Sequence, residues 1–313
     1  LFNTIKKSKR YKVESISGKI LCWVKKPKYS HIRRKLVKVK YLDDNTGFMI
    51  INNVDCIMIV FQDFKAIFGI NKIFSLKKLK FNNLNNLNNL NLLSQLTNLT
   101  KLDLCYNKLT SIPFEIGNLT GLTELNLEYN KLTSMPSEIG NLTNLTSLYL
   151  GSNKLTSMPS EIGNLTNLTS LYLGSNKLTS MPSEIGQLTN LTSLSLSFNK
   201  LTSVPSEIGN LTNLTKLYLH NNKLARMPSE IGNLTGLTNL YLGYNKLTSV
   251  PSEIGQLTNL NHLSLYSNKL KSVPSEIRNL TNLTILYLGD NKLTSEFKAQ
   301  IKSWFKPDIV ADM

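Results

Sequence analysis

Histidine, cysteine and carboxylate side chains in the right grouping would do acid–base, nucleophilic or metal chemistry, and this sequence groups few of them. His31, His220 and His262 lie far apart, and Cys22, Cys56 and Cys105 form no CxxC pair. No HExxH, GxSxG, GxGxxG or GxxxxGK[ST] phrase occurs. One set of carboxylates does recur, from Glu115 to Glu276 at 23-residue steps. So even a recurrence marks a structural position rather than one pocket, and solvated charges at the starts of short helical turns are expected. No catalytic residue, metal ligand or cofactor is assigned, no small-molecule substrate is expected, and the chain reads as a non-enzyme.

Two other periodic sets suit recognition. Tyr149, Tyr172, Tyr218, Tyr241 and Tyr287 share one position of the period, with Asp103, Asn126, Ser195 and Ser264 in the remaining units. Three positions on stand Tyr106, Tyr129, Phe198 and Tyr244. Exposed aromatic rings supply large contact area at modest entropic cost, and they also stabilise adjacent strands by stacking. A stricter column runs from Lys108 to Lys292 and includes Lys154, Lys177, Lys200 and Lys223. Like charges roughly 5 Å apart repel by under about 1 kcal/mol in water, so such a row is tolerable when solvated. It reads either as inheritance from a duplicated unit or as a basic rim that attracts an acidic partner.

The elements that must position these residues follow from the period itself. Asparagine recurs from Asn107 to Asn291 without a slip, and every unit reads L-x-x-L-x-L-x-x-N-x-L, as in Leu145, Leu148, Leu150, Asn153 and Leu155. Residues 142–164 and 165–187 differ only at Asn164 and Gln187, so the array grew by duplication. The x-L-x-L-x alternation predicts a short strand with its leucines on one face. Stacked at roughly 4.8 Å, such strands form a parallel sheet over a leucine core. Each Asn amide lies where the chain turns and can both donate and accept. In the return segment, Pro blocks the strand, Ser can cap, Glu favours a helical start and Gly stops it within about one turn. A 3₁₀-like return is expected, and closer spacing of the strands than of the returns curves the array with its sheet on the concave side.

The unit resembles a leucine-rich repeat of the 23-residue kind over about residues 99–295. Its phrase L-x-x-[LMV]-P-x-x-I-G-N-L-T-N-L is most similar to intracellular Ras-group leucine-rich repeat proteins and Ras-pathway scaffolds. Plant receptor ectodomains share I-G-N-L-T but resemble a 24-residue G-x-I-P version that is missing here. The resemblance implies an α/β repeat solenoid, a horseshoe with a concave parallel β-sheet and short 3₁₀ or helical convex segments. It also implies a signalling scaffold that holds a protein partner across that concave face.

Both flanks depart from the repeat. Leu76, Leu79, Phe81, Leu93 and Leu96 fit a decayed tenth unit, in which Leu84 replaces the Asn, so the solenoid is expected over residues 76–295. Phe297, Ile301, Trp304 and Phe305 have helical spacing and are expected to cap the last coil within residues 296–313. Residues 1–75 read as a small, basic, β-rich module with two hairpins, one turning at Ser17-Gly18 and one joining residues 35–42 to 48–52, and with a further strand over 54–61. Residues 1–80 carry 19 Lys or Arg against 5 Asp or Glu, whereas the remainder carries 17 against 15. The basic patch of Lys6, Lys7, Lys9, Arg10, Arg33, Arg34 and Lys35 invites a second function, binding of nucleic acid or an anionic membrane through residues 1–40. Unpaired cysteines and the lack of an apolar leader point to an intracellular, cytoplasmic monomer. Twelve Asn-Leu-Thr sequons, Asn98, Asn141, Asn144 and Asn282 among them, keep open a secreted or delivered receptor or effector.

Overall fold

Three residues of L-x-L strand bury nothing alone, so the chain must wind and stack coil on coil. The computed structural model describes residues 96–306 and 308–311, and upstream of them the strands Tyr11–Ile16, Lys19–Val24, Val37–Val39, Phe48–Asn52 and Lys78–Asn82. The chain divides into two units, Leu1–Leu148 and Tyr149–Met313.

In the first unit, β1 (Tyr11–Ile16) and β2 (Lys19–Val24) pair antiparallel from Tyr11 opposite Val24 to Ile16 opposite Lys19, the register that the expected hairpin requires. β3 (Val37–Val39) then pairs with β2, Ile20 opposite Val39. Among the described residues, β3 and β4 (Phe48–Asn52) do not pair with each other as the second expected hairpin would require. Instead β4 runs parallel to β5 (Lys78–Asn82), Met49 opposite Leu79. The physical reason is the composition of β4: Phe-Met-Ile-Ile is a continuous apolar run, which suits a parallel strand better than a half-solvated hairpin arm. Repeat-like pairing thus reaches upstream of residue 76. It continues through β6 (Lys101–Asp103) and β7 (Glu124–Asn126), with Leu79, Leu102 and Leu125 in one buried column. The unit boundary falls inside β8 (Ser147–Tyr149). The basic patch and the strand expected over 54–61 lie outside the described residues.

The second unit is a parallel sheet of β9 (Ser170–Tyr172), β10 (Ser193–Ser195), β11 (Lys216–Tyr218), β12 (Asn239–Tyr241), β13 (His262–Ser264), β14 (Ile285–Tyr287) and β15 (Val310–Ala311). Leu171, Leu194, Leu217, Leu240, Leu263 and Leu286 stand in register and are fully buried. α1 (Ser295–Trp304) follows β14, with the Thr294 hydroxyl accepting from the Phe297 N–H. Ile301 is fully buried, and Phe297 and Trp304 meet edge to face at 6.0 Å. The expected cap is therefore helical, and it is followed by β15, a strand with no counterpart in the residue spacing, which pairs with β14.

Asparagine joins the coils. Asn176 donates from Nδ2 to the Leu173 carbonyl of its own coil at 3.0 Å and to the Leu150 carbonyl of the preceding coil at 2.9 Å, while its Oδ1 accepts from the Leu155 N–H at 3.0 Å. Asn199, Asn222, Asn245, Asn268 and Asn291 repeat the pattern, as Asn130 does within the first unit. The Thr and second Asn of the N-L-T-N-L-T phrase add bonds between coils, for example Thr215 Oγ1 to the Thr192 carbonyl at 2.9 Å and Asn213 Nδ2 to the Thr189 carbonyl at 2.9 Å.

The returns are 3₁₀ turns such as Ser160–Asn164 and Ser206–Asn210, as expected. Their caps correct one expectation. Proline holds the cap position and no side chain caps; the Ser hydroxyl donates to the next Glu carboxylate, as Ser160 does to Glu161 at 3.2 Å. Glycine also has a different task from stopping the helix. A Cβ on Gly209 would lie 2.6 Å from the Glu230 carbonyl oxygen and 2.7 Å from Glu230 Cβ on the following return. In the last regular unit, α1 succeeds the return Ser275–Asn279, and there the exposed Arg278 replaces glycine. Gly209→Ala should therefore lower unfolding stability by about 1–3 kcal/mol, and Arg278→Ala should change it by less than about 0.5 kcal/mol, read from urea midpoints of the full chain.

Candidate functional site

With leucines inward, the alternate strand residues are turned away from the core, and the first tyrosine column is among them. In the second unit Tyr149 and Tyr172 stack at 5.1 Å between ring centroids and 8° between planes, and Tyr218 and Tyr241 at 5.1 Å and 4°. Each ring is half-buried, as is Tyr287 on β14. His220 stands beside this row, edge-on to Phe198 at 5.2 Å, to Tyr241 at 6.3 Å and to Tyr218 at 6.5 Å. Burial lowers the pKa of His220 from its ordinary value, and its Nδ1 has no hydrogen-bond partner. Burial, then Tyr241 and Tyr172, raises that of Tyr218. In the sequence His220 is one of three scattered histidines; only the fold brings it among the rings. Its signal was faint: a single residue replacing the Gly or Ser of most other units.

The second aromatic column holds an unusual backbone. Phe198 and Tyr244 have φ of 54° and 55°, in the left-handed region that glycine adopts most cheaply. Non-glycine residues there cost on the order of 1–3 kcal/mol. Both rings are nonetheless turned outward, 52% and 53% exposed, with Tyr244 near Tyr266 at 5.4 Å. Ser175, Ser267 and Asp290 occupy the same position elsewhere, so the conformation belongs to the coil and the ring does not create it.

In the first unit, Tyr106 and Tyr129 share that conformation and stack at 4.3 Å and 6°. Beside them, Lys80 Nζ lies 2.6 Å from Asp103 Oδ2 and 3.8 Å from Cys105 Sγ. The hydrogen bond to Asp103 holds Lys80 above its usual range. Burial raises Asp103, but the Cys105 thiol, the Lys80 ammonium and the Cys105 N–H outweigh it and leave that carboxyl lowered. Burial first, then Asp103, pushes the Cys105 thiol up to about 11, which keeps it protonated and unreactive. Lys101 also pairs with Glu124.

Lys154, Lys177, Lys200 and Lys223 are all exposed, each just past its Asn. The glutamates lie on the return turns, away from the strands. Among the described residues no three His, Cys, Asp or Glu side chains converge as a metal set, and no helix is long and apolar enough to cross a membrane. The arrangement offers stacking faces, hydroxyls and ammonium groups, which are means of holding a partner.

Residues 48–203 and 171–244 match the family described as Leucine-rich repeat region, and residues 235–293 the one described as Leucine rich repeat. No curated protein matches the chain. Among solved structures, an internalin (inlF) from Listeria monocytogenes str. 4b F2365 is 27% identical with a TM-score of 0.60, over 85% of this chain and 82% of that one. A TDR receptor is 32% identical with a TM-score of 0.58, over 71% of this chain and 44% of its own. The plant peptide hormone receptor RGFR1, in complex with RGF2, is 27% identical with a TM-score of 0.57, over 84% of this chain and 48% of its own. This chain thus spans less than half of either receptor.

The exposed ring of Phe198 is held at a backbone position where it strains the coil. Phe198→Gly should leave the thermal midpoint of the full chain unchanged or raise it by about 1–3 °C, since relief of the left-handed strain offsets the lost His220 contact. A fall of more than about 5 °C would show that the ring is there for stability.

Proposed function

This chain belongs to the leucine-rich repeat family, and from that premise we propose that it is a non-catalytic scaffold that holds a protein partner against the exposed face of its strands. Proteins of this family generally mediate protein–protein interactions and are typically non-catalytic. The observation that carries the reading is the pair Phe198 and Tyr244, large rings kept solvent-facing on left-handed backbone where glycine would cost less. Rings so placed, next to the Tyr218–Tyr241 stack and the exposed lysines, combine rigid contact area with positive charge. The similar plant receptor is in complex with RGF2, in keeping with a polypeptide partner here.

The finer setting we propose is intracellular signalling of the Ras-group kind, with the chain acting as a monomer. The phrase L-x-x-[LMV]-P-x-x-I-G-N-L-T-N-L supports it, as does Cys105, a free buried thiol. A second reading draws on one observation, the 19 Lys or Arg against 5 Asp or Glu in residues 1–80: binding of nucleic acid or another polyanion through the basic segment.

Capture of partners from cells by the wild-type chain and by a Phe198→Gly, Tyr218→Ala, Tyr241→Ala variant tests the first reading. Proteins recovered specifically by the wild type should fall about tenfold or more with the variant while its circular dichroism is retained. Equal recovery by both would contradict a role for the strand face. Loss of recovery on high salt or nuclease treatment alone would favour the basic segment.

A further inference from the structure

The outward row on β9, β10, β11 and β12 reads Tyr172, Ser195, Tyr218, Tyr241, each opposite the next across the parallel ladder. Where two tyrosines are neighbours their rings stack, as Tyr218 and Tyr241 do at 5.1 Å. At Ser195 the row lacks a ring. Tyr172 and Tyr218 are therefore two strand spacings apart, about 9.6 Å. One inserted aromatic ring needs about 3.5–4.0 Å to each neighbour, roughly 7–8 Å in all, whereas two inserted rings would need more than about 10 Å. The gap takes one ring and not two. A hollow of about 360 Å³ lies at this place, with Tyr172 and Tyr218 as walls, Ser193, Ser195 and Ser197 as floor, and Lys216 at its edge.

Charge selects the occupant. The outward residues of these four strands are Ser170, Tyr172, Ser193, Ser195, Lys216, Tyr218, Asn239 and Tyr241, with no carboxylate among them. Lys216 is exposed and, among the described residues, in no ion pair. Lys177, Lys200 and Lys223, each just past its Asn in these coils, are exposed as well.

We propose that the hollow over Ser195 receives one aromatic side chain from an acidic peptide segment of a partner protein. The ring completes the tyrosine row between Tyr172 and Tyr218, and a carboxylate on an adjacent peptide residue meets the Lys216 ammonium. Stacking at the centroid separations of this row, near 5 Å, lies in the favourable range for aromatic pairs, and the serine floor leaves the space that a tyrosine would fill. The assignment rests on the strand-face reading above and names what that face takes.

Random twelve-residue peptides displayed on phage and selected on the full chain test it, followed by anisotropy titration of the enriched peptides carrying fluorescein. Enriched peptides should share an aromatic residue beside Asp or Glu. Ser195→Tyr should weaken them about tenfold or more, because it fills the slot with the ring that the neighbouring units already carry, a change that the fold accommodates. Lys216→Ser, which installs the residue found at 170 and 193, should weaken them about threefold and flatten their salt dependence. If no peptide is enriched, if the enriched peptides lack that motif, or if they bind wild type and Ser195→Tyr alike, the slot is wrong. In the last case, loss of binding with Tyr241→Ala and Phe198→Gly would leave the strand-face reading standing, and indifference to these too would remove both.

Discussion

A carboxamide is the smallest side chain that can donate twice and accept twice, and the architecture depends on that property. Asn130, Asn176, Asn199, Asn222, Asn245, Asn268 and Asn291 each tie the carbonyl of their own strand's end to the carbonyl of the coil before, and take the N–H of that earlier coil on their oxygen, as Asn222 does with Leu219, Leu196 and Leu201. These backbone groups are buried where the chain leaves the strand and turns, beyond the reach of the ladder bonds. Without a partner they would cost about 1–3 kcal/mol each. Aspartate would lose the donors and leucine everything, which explains why the position admits no substitution in nine units.

Fixing that corner has two consequences. The residue before each Asn is driven to φ between 52° and 57° whatever its type, so Tyr, Phe, Ser, Asn and Asp share one conformation there. The side chain at that point is held in one backbone conformation, and where it is a ring, as at Tyr106, Tyr129, Phe198 and Tyr244, that ring is exposed. The second consequence is the close stacking of the returns. Because coils repeat at fixed spacing, Gly117, Gly163, Gly186, Gly209, Gly232 and Gly255 each face the Glu of the next return, and Arg278 stands at the corresponding place in the last. Leucine burial supplies the bulk of the stability, while asparagine and glycine decide which packing is allowed.

Much of this was legible in the residues because the information is local and repeated. The L-x-L alternation marked strands, the Pro-to-Gly interval marked 3₁₀ returns, and the spacing of Phe297, Ile301 and Trp304 marked a helix. What escaped was non-local. β4 joins the parallel sheet across 30 residues, from Met49 to Leu79, rather than 23, and β15 joins it 24 residues after Leu286, so a search at one period passes over both. Proline's role as cap was hidden by a serine that looked like a better one. The left-handed corner left no residue signature, since only Asn221 and Asp290 are types that favour it. Of the site, the tyrosine and lysine columns were readable as patterns. The pairing of rings into stacks, the place of His220 beside Tyr218 and Tyr241 and the gap over Ser195 needed the register of the strands.

The decisive measurement is native-state hydrogen exchange on Asn222→Ala, read at two amides. Leu201 donates to Asn222 and Leu247 to Asn268, in otherwise equivalent coils. If the asparagine ties the coils, Leu201 should lose about tenfold or more of its protection while Leu247 keeps its own. Unchanged protection at Leu201 would mean that leucine packing alone holds the corner, and the constraint on which the aromatic surface is built would not exist.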